Sequence, residues 1–465
     1  MWARLELVDD ELPAPPGPAG GSGLDLSEIV LGCSKLVSSS HWIELMRDAL
    51  ATTRKLYDQL VAATTAPPPA FRTWTGETWG PDDATTTLVL NHAGALRAAL
   101  LPPSDLIAGE AYIYDDIDVE GDIVGLLHWG AQLDELRSSP LTLARVGRLV
   151  RHLPADSRRK AAVRPDLKGR LHSLRRDSSA VRHHYDTGNS FFEAFLDPEM
   201  VYSCGYFLDP GESLEVAQRR KLDLICRKLQ LQPGQRLLDV GCGWGALVRH
   251  AATNYGVEAV GVTLSPEQAA EANLRNRDDG LQDRVSIQVK DYRDVTGTFD
   301  AISSVGMFEH VGSKELEHYF KKLDSILIPG GALLNHGITT RARPRRFERS
   351  RPSFVNTYVF PDGELLPIES SVRAAEDAGF ETLDVESLRQ SYVHTLRRWV
   401  ANLETNYKSA VEAADEITYR IWRMYMAGSA AAFENGAISV YQVLYAKGDR
   451  PWSYGRQWAS AQDDG

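Results

Sequence analysis

Leu237-Leu238-Asp239-Val240-Gly241-Cys242-Gly243-Trp244-Gly245 is an apolar strand that runs into glycines and then into the helical pattern GALVRHAATNYG. Glycines permit a tight turn and let a ligand approach the backbone closely, and a helix amino terminus offers free N–H donors. A strand, a glycine turn and a helix in that order mark a site for a nucleotide-like ligand, which glycines alone do not.

Strands and helices alternate outward from this loop. RLLDV, EAVGVTL, VSIQVKD, FDAISSV and GALLNHGIT read as strands, separated by GALVRHAATNYG, SPEQAAEANLRNR and KELEHYFKKLDSIL as helices. ETLDVESL and ISVYQVLYAKG add two strands around a long helical region from about Ser391 to Phe433. This order predicts an α/β fold with a doubly wound, seven-stranded Rossmann-like sheet of the methyltransferase type. The glycines fall at every second position after Asp239, rather than as GxGxxG. That spacing favours S-adenosylmethionine over a dinucleotide and puts Asp239 near the cofactor's amino-acid end. The second strand ends at Gly261-Val262-Thr263-Leu264-Ser265 without the usual ribose-gripping acid, so Thr263 and Gln268 are expected to substitute. Asp291, at the end of the third strand, is placed for an adenine edge or, more plainly, to cap a turn.

Length and composition frame this sheet. A chain of 465 residues is too long for one core and asks for two or three domains. With 43% apolar and 25% charged residues it is ordinary globular material, not collagen-like, coiled-coil or wholly disordered. Four scattered cysteines form neither a disulfide framework nor a metal-binding pattern, which points to a reducing cytoplasm and no metal. The acidic start MWARLELVDDELPAPP lacks the basic and apolar runs of a secretion signal, and no stretch reaches the length of a membrane span.

A net charge of −12 argues against nucleic acid as a partner but hides a local asymmetry. Between Leu136 and Arg182 stand 13 Lys or Arg against three Asp. Within it Leu141, Leu143, Val146, Leu149, Val150 and Leu153 interleave with Arg145, Arg148 and Arg151 at helical spacing. Such a segment is either a solvated linker helix or a footprint for anionic lipid headgroups. The expected divisions are a flexible lead-in at 1–25, an α+β domain at 26–135, a basic linker at 136–180 and a catalytic domain at 181–465.

Several further stretches carry a family pattern: His183-His184-Tyr185-Asp186-Thr187-Gly188-Asn189, Met200 to Phe207, DVGCGWG, GVTLSPEQ, Gly306 to Gly312, Asn335 to Ile338, FVNTYVFPDGELLP, and Tyr392 to Trp399. Together they closely resemble the cyclopropane-fatty-acid synthase family, over about 280 residues and in order. The amino-terminal part resembles the extra, sterol-carrier-like domain of the phospholipid-acting members. The resemblance implies cofactor contacts from Tyr202, Ser203, Gly241, Gly243, Thr263, Gln268 and Asp291. It implies a bicarbonate ion held by Cys204, Glu309, His336, the backbone of Ile338, and Tyr392.

The implied chemistry needs such a set. The π electrons of an unactivated cis double bond attack a sulfonium methyl, leaving a carbocation within the acyl chain. An apolar tunnel must admit the lipid, aromatic faces must stabilise the cation, and a base must remove a proton. Proton loss from the transferred methyl gives a cyclopropane, whereas a hydride shift first gives a methylene branch. A lipid-transfer protein with a vestigial sheet is the competing class. The expected partners are unsaturated phospholipid acyl chains, an anionic membrane surface contacted peripherally from the cytoplasmic side, and a second copy of the chain. Arg341, Arg343, Arg345, Arg346, Arg349 and Arg351 form either a second phosphate-facing patch or a solvated loop.

Overall fold

The computed structural model describes residues 39–133, 140–159, 187–341, 353–361, 363–450 and 456. The expected lead-in, most of the basic linker, the His183–Asp186 stretch and the arginines from Arg343 to Arg351 lie outside these residues. The chain divides into two compact units, 1–48 and 49–465. Of the first, the described part is the beginning of a helix, Ser39–Val61, whose remainder belongs to the second.

The second unit holds two sheets. The smaller contains β1 (Ala70–Arg72), β2 (Thr78–Trp79), β3 (Thr86–Leu90) and β4 (Ile117–Gly121) in the order β2-β1-β3-β4. β3 runs parallel to β1 and antiparallel to β4. Its residues alternate between buried and half-buried, as period-two patterning requires of a strand with one covered face. β3 is followed, after Gly94, by the helix Ala95–Leu100.

The larger sheet contains β5 (Arg236–Val240), β6 (Glu258–Thr263), β7 (Val285–Val289), β8 (Phe299–Val305), β9 (Leu327–Thr340), β10 (Phe380–Ser387) and β11 (Ile438–Lys447). Their order is β10-β11-β9-β8-β5-β6-β7, and β11 is antiparallel to both its neighbours. The chain moves one way from β5 through β7 and then returns to lay β8 on the other side of β5. That reversal opens a crevice at the carboxyl ends of β5 and β8, where ligands of doubly wound sheets bind.

One apolar core joins the small sheet to the helices above the large one, running from Leu56 and Phe71 through Trp129 and Phe191 to Trp399, Trp422 and Val440. Polar ties accompany it. Arg423, in the helix Glu416–Glu434, donates to the Tyr112 hydroxyl at 2.8 Å and to Glu404 at 2.7 Å. The helix Phe354–Tyr358 packs on the helix Asp105–Ile113 so closely that a Cβ at Gly109 would stand 2.3 Å from the Phe354 ring. Tyr358 donates to Glu110 at 3.2 Å from the same short helix. The helix Asp105–Ile113 thereby buttresses a segment whose residues Val355 and Asn356 line a cavity of the catalytic part.

Candidate active site

Two cavities meet above the carboxyl ends of the large sheet. The first, about 170 Å³, is lined by Tyr202, Ser203, Asp239, Gly241, Gly243, Thr263, Gln268 and Asp291, which are all eight residues expected around the cofactor. Gly241 and Gly243 hold φ of +78° and +53°, in the left-handed region that side chains disfavour. A Cβ on Gly241 would press on Met307 at 3.0 Å, whereas no atom of the described residues lies within 4 Å of one on Gly243. The latter glycine therefore faces the open cavity.

Local chemistry positions the others. Ser265 caps the helix Pro266–Asp278 by accepting from the Gln268 N–H at 3.2 Å, with Pro266 at the first helical position. Gln268 Oε1 then accepts from the Thr263 hydroxyl at 2.8 Å, so the pair anticipated to replace a ribose-binding acid is mutually oriented. Asp291 lines the cavity, but its carboxylate accepts from the Arg293 backbone N–H at 2.9 Å and guanidinium at 2.8 Å. The carboxylate thus caps the turn from the edge of the cavity. Asp239 accepts from the Ser303 hydroxyl at 2.8 Å, and burial raises its carboxyl to about 6.

Sequence reasoning missed Lys221. It is buried in the helix Leu214–Leu229, lines the first cavity, and donates to Ser203 Oγ at 2.9 Å. Burial lowers its ammonium to about 8, opposed by the charges of Asp197 and Asp239. A lysine among RRK on a helix reads as solvated, and only the tertiary fold turns it inward. Ser203 is held further by Gln218, which donates to its carbonyl at 2.8 Å.

The second cavity, about 340 Å³, is lined by Cys204, Glu309, His336, Ile338 and Tyr392. All five residues expected around the bicarbonate thus share one cavity. His336 and Ile338 are two apart on β9 and so face the same side, while Gly337 turns the other way, where a Cβ would meet Phe308 at 2.9 Å. Glu309 sits in the turn Phe308–His310 after β8, and Tyr392 on the helix Arg389–Thr405. Val355, Phe360, Leu365, Leu396, Phe433 and Val440 make the walls largely apolar. Tyr202, Ser203, Gly306 and His310 line both cavities, so the two adjoin.

The polar groups of this cavity differ in character. Burial raises the Glu309 carboxyl to about 7, against the Ile338 N–H that donates to Oε1 at 2.7 Å. Glu309 Oε2 is buried and has no partner among the described residues. Burial, helped by the charges of Lys221 and Lys228, lowers His336 to about 3, so the ring is neutral. Burial pushes the Cys204 thiol far up, and its proton is directed at the carbonyls of Gly205 and Leu388, 3.1 and 3.7 Å away. The Ile338 N–H is thus committed to Glu309, and Cys204 is an uncharged wall group.

Aromatic rings pack around the junction. Tyr202 lies 5.2 Å from Trp399 and 5.6 Å from Phe192, and Phe192 lies 5.0 Å from Trp422 and 5.1 Å from Trp244. Tyr425, on the helix that carries Trp422, completes the wall of the second cavity. Among the described residues no helix is long and apolar enough to cross a membrane.

The architecture and sequence have clear relatives. The family model described as mycolic acid cyclopropane synthetase matches residues 172–443. A probable fatty acid methyltransferase of Pseudomonas putida is 40% identical over 397 residues, 83% of this chain and 95% of the relative. The cyclopropane-fatty-acyl-phospholipid synthase of Escherichia coli K12 is 38% identical over 278 residues, 60% of this chain and 70% of the relative. The crystal structure of the mycolic acid cyclopropane synthase CmaA1, complexed with SAH and CTAB, superposes with a TM-score of 0.55 at 35% identity, covering 58% of this chain and 98% of that one. With these matches and a seven-stranded methyltransferase sheet, the chain belongs to the mycolic acid cyclopropane synthetase family and is an S-adenosylmethionine-dependent methyltransferase.

Proposed function

We propose that the protein transfers the methyl group of S-adenosylmethionine to the cis double bond of an unsaturated phospholipid acyl chain and, with bicarbonate accepting the proton, closes a cyclopropane ring. One observation carries this reading: a polar set of Glu309, His336 and Tyr392 faces a largely apolar cavity that adjoins the glycine-loop cavity at Tyr202 and Ser203.

S-adenosylmethionine supplies an electrophilic methyl, and bicarbonate would supply the base. The residues present suit such an anion. Glu309 Oε2 is a buried oxygen without a partner among the described residues, which calls for an O–H donor at that point. Its carboxyl, raised to about 7, is close to half-protonated at neutral pH and therefore suited to receive a proton and pass it on. His336 and the Tyr392 hydroxyl are donors to the anion. Cys204 closes the wall, Ile338 aims Glu309, and the apolar surround keeps water from the cation. The rings of Tyr202, Tyr425 and Phe433 offer π faces to positive charge on the chain.

We further propose peripheral contact with anionic lipid through the helix Pro140–His152. Val150 is buried beneath it, while Arg145, Arg148 and Arg151 are exposed and Leu141 is 76% exposed. A dimer presenting two cavities to one bilayer, at the cytoplasmic side of the membrane, fits the same picture.

The test uses full-length protein, vesicles of cis-monounsaturated phosphatidylglycerol and methyl-labelled cofactor, with and without bicarbonate, and mass spectrometry of the released acyl chains. Label in a cyclopropane acyl chain, increased by bicarbonate, is the expected result. Cofactor binding without any transfer to lipid would sink the reading and favour a transfer protein.

A second reading keeps the methyl transfer but places a hydride shift before proton loss, giving a mid-chain methylene branch. It is favoured by the name of the relative matched over 95% of its length, a probable fatty acid methyltransferase. Ring-opening derivatisation before mass spectrometry separates the two products.

A further inference from the structure

Gln442 stands directly opposite His336 in the pairing of β9 with β11, and both residues are buried, 0% and 2% exposed. Gln442 Nε2 lies 3.3 Å from His336 Nδ1, and Lys228 Nζ lies 2.8 Å from Gln442 Oε1. An ammonium group has only protons to give, so the amide atom facing Lys228 is the oxygen. The atom facing His336 is then the NH₂, which can only donate. Nδ1 must therefore accept and carry no proton, and in a neutral imidazole the proton resides on Nε2. Lys228 is itself fully buried, hydrogen-bonded to Glu386 and 3.7 Å from Asp384.

We infer that Glu386, Lys228 and Gln442 form a hydrogen-bonded chain that locks His336 in its Nε2–H tautomer, so that His336 is a hydrogen-bond donor to the second cavity and never its base. This rests on the proposed reading of that cavity. Neither Gln442 nor Lys228 lines the cavity, so both are positioning residues acting through His336. The depressed basicity of the ring, with burial as its first cause, agrees with a permanently neutral donor. The consequence for the reaction is a division of labour. His336 helps to hold an anion by donating to it, and the proton leaving the substrate travels toward Glu309, whose Oε2, without a partner among the described residues, can accept it.

The tautomer is read directly from long-range proton–nitrogen spectra of protein labelled with ¹⁵N-histidine, the His336 ring being identified by its loss in His336→Gln. At neutral pH the wild-type ring should show an unprotonated Nδ1 and a protonated Nε2. A charged ring, or the opposite tautomer, overturns the inference. Gln442→Glu replaces the donor by a carboxylate that Lys228 keeps ionised and that can only accept. It should turn the ring to Nδ1–H and lower kcat by roughly 10 to 100-fold, as when a group that orients a histidine is lost, with the cofactor KM unchanged. Retained tautomer or retained kcat in a folded Gln442→Glu protein counts against the lock. Should that variant not fold, Gln442→Met leaves Nδ1 without a donor and should yield mixed tautomers, and a single Nε2–H form there overturns the inference. The spectra need no turnover. Absence of lipid methylation with an Nε2–H ring would thus fault the proposed function alone.

Discussion

The backbone N–H of Ile338 on β9 donates at 2.7 Å to Oε1 of Glu309, a residue that sits in a separate turn after β8. This single bond fixes which carboxylate oxygen is committed to the fold and which one, Oε2, is left to the cavity. It also joins two elements that parallel pairing already holds in register, with Val305 opposite His336. The carboxylate is therefore aimed by backbone geometry, which is more rigid than a side-chain partner would be.

Glu309→Gln keeps an oxygen for the Ile338 N–H but removes the exchangeable proton. Under the proposed mechanism kcat should fall by roughly 10² to 10⁴-fold, the usual worth of a positioned acid–base group, with cofactor affinity unchanged in calorimetric titration. Stability moves in the opposite direction. The folded carboxyl is raised from 4.5 to about 7, so between these values the folded state holds a proton that the unfolded chain has released. The resulting stability is full below the lower value and lost as pH rises through about 7. Above that pH the variant should exceed wild type by up to about 3 kcal/mol, measured by denaturant unfolding. Wild-type kcat/KM should rise with pH through the same upper value.

Gly243→Ala tests the glycine loop. The added methyl meets no atom of the described residues, but the backbone φ of +53° is unfavourable for it, which should cost about 1 kcal/mol of stability. Binding of the demethylated cofactor should weaken tenfold or more, because a tenfold loss needs only about 1.4 kcal/mol of steric conflict. Gly241→Ala should instead perturb folding, since its methyl would press on Met307 at 3.0 Å. Equal cofactor affinity in Gly243→Ala and wild type would displace the cofactor from this loop.

How much of this was legible follows from the kind of force involved. β5 to β8 are short apolar runs bounded by Gly, Asp or a helix cap, and buried parallel strands leave that trace in any sequence. β9 begins at Leu327, earlier than GALLNHGIT suggests, because Pro329-Gly330-Gly331 reads as a turn; the sheet absorbs it as a register shift against β8. The glycine loop and strand ends that line the first cavity were legible from their order and spacing, whereas the residues of the second cavity were legible only through ordered family motifs, since no periodicity singles out Cys204 or His336. Lys221, Lys228 and Gln442 were not legible at all. Each is a polar residue that would be solvated on an isolated helix or strand, and each is buried only because a distant element supplies its partner.

Ala432→Trp addresses the second cavity. Ala432 lies one turn beyond Gly428 on the helix Glu416–Glu434, and both line the cavity. An indole there should occupy the space proposed for the acyl chain. Methyl transfer to lipid should drop at least tenfold while cofactor binding, read by titration, is retained, because the first cavity does not include this residue. Unimpaired transfer would place the acyl chain elsewhere.

Replacing Arg145, Arg148 and Arg151 together by Gln tests the membrane contact. Their helix packs inward through Val150 and leaves the three guanidinium groups exposed, so the triple variant should keep its unfolding midpoint. Each cation near an anionic surface is worth about 1 kcal/mol, and three removed together should weaken binding to phosphatidylglycerol vesicles on the order of 100-fold. Most of that difference should disappear at 1 M salt, where the Debye length shrinks to about 3 Å. Leu141, 76% exposed at the start of the same helix, supplies a second, apolar component. Leu141→Ala should lower vesicle binding by an amount that salt does not alter, because the hydrophobic contribution is unscreened. Vesicle sedimentation at low and high salt separates the two components, and equal binding by the triple variant and wild type at low salt would make this helix a plain linker.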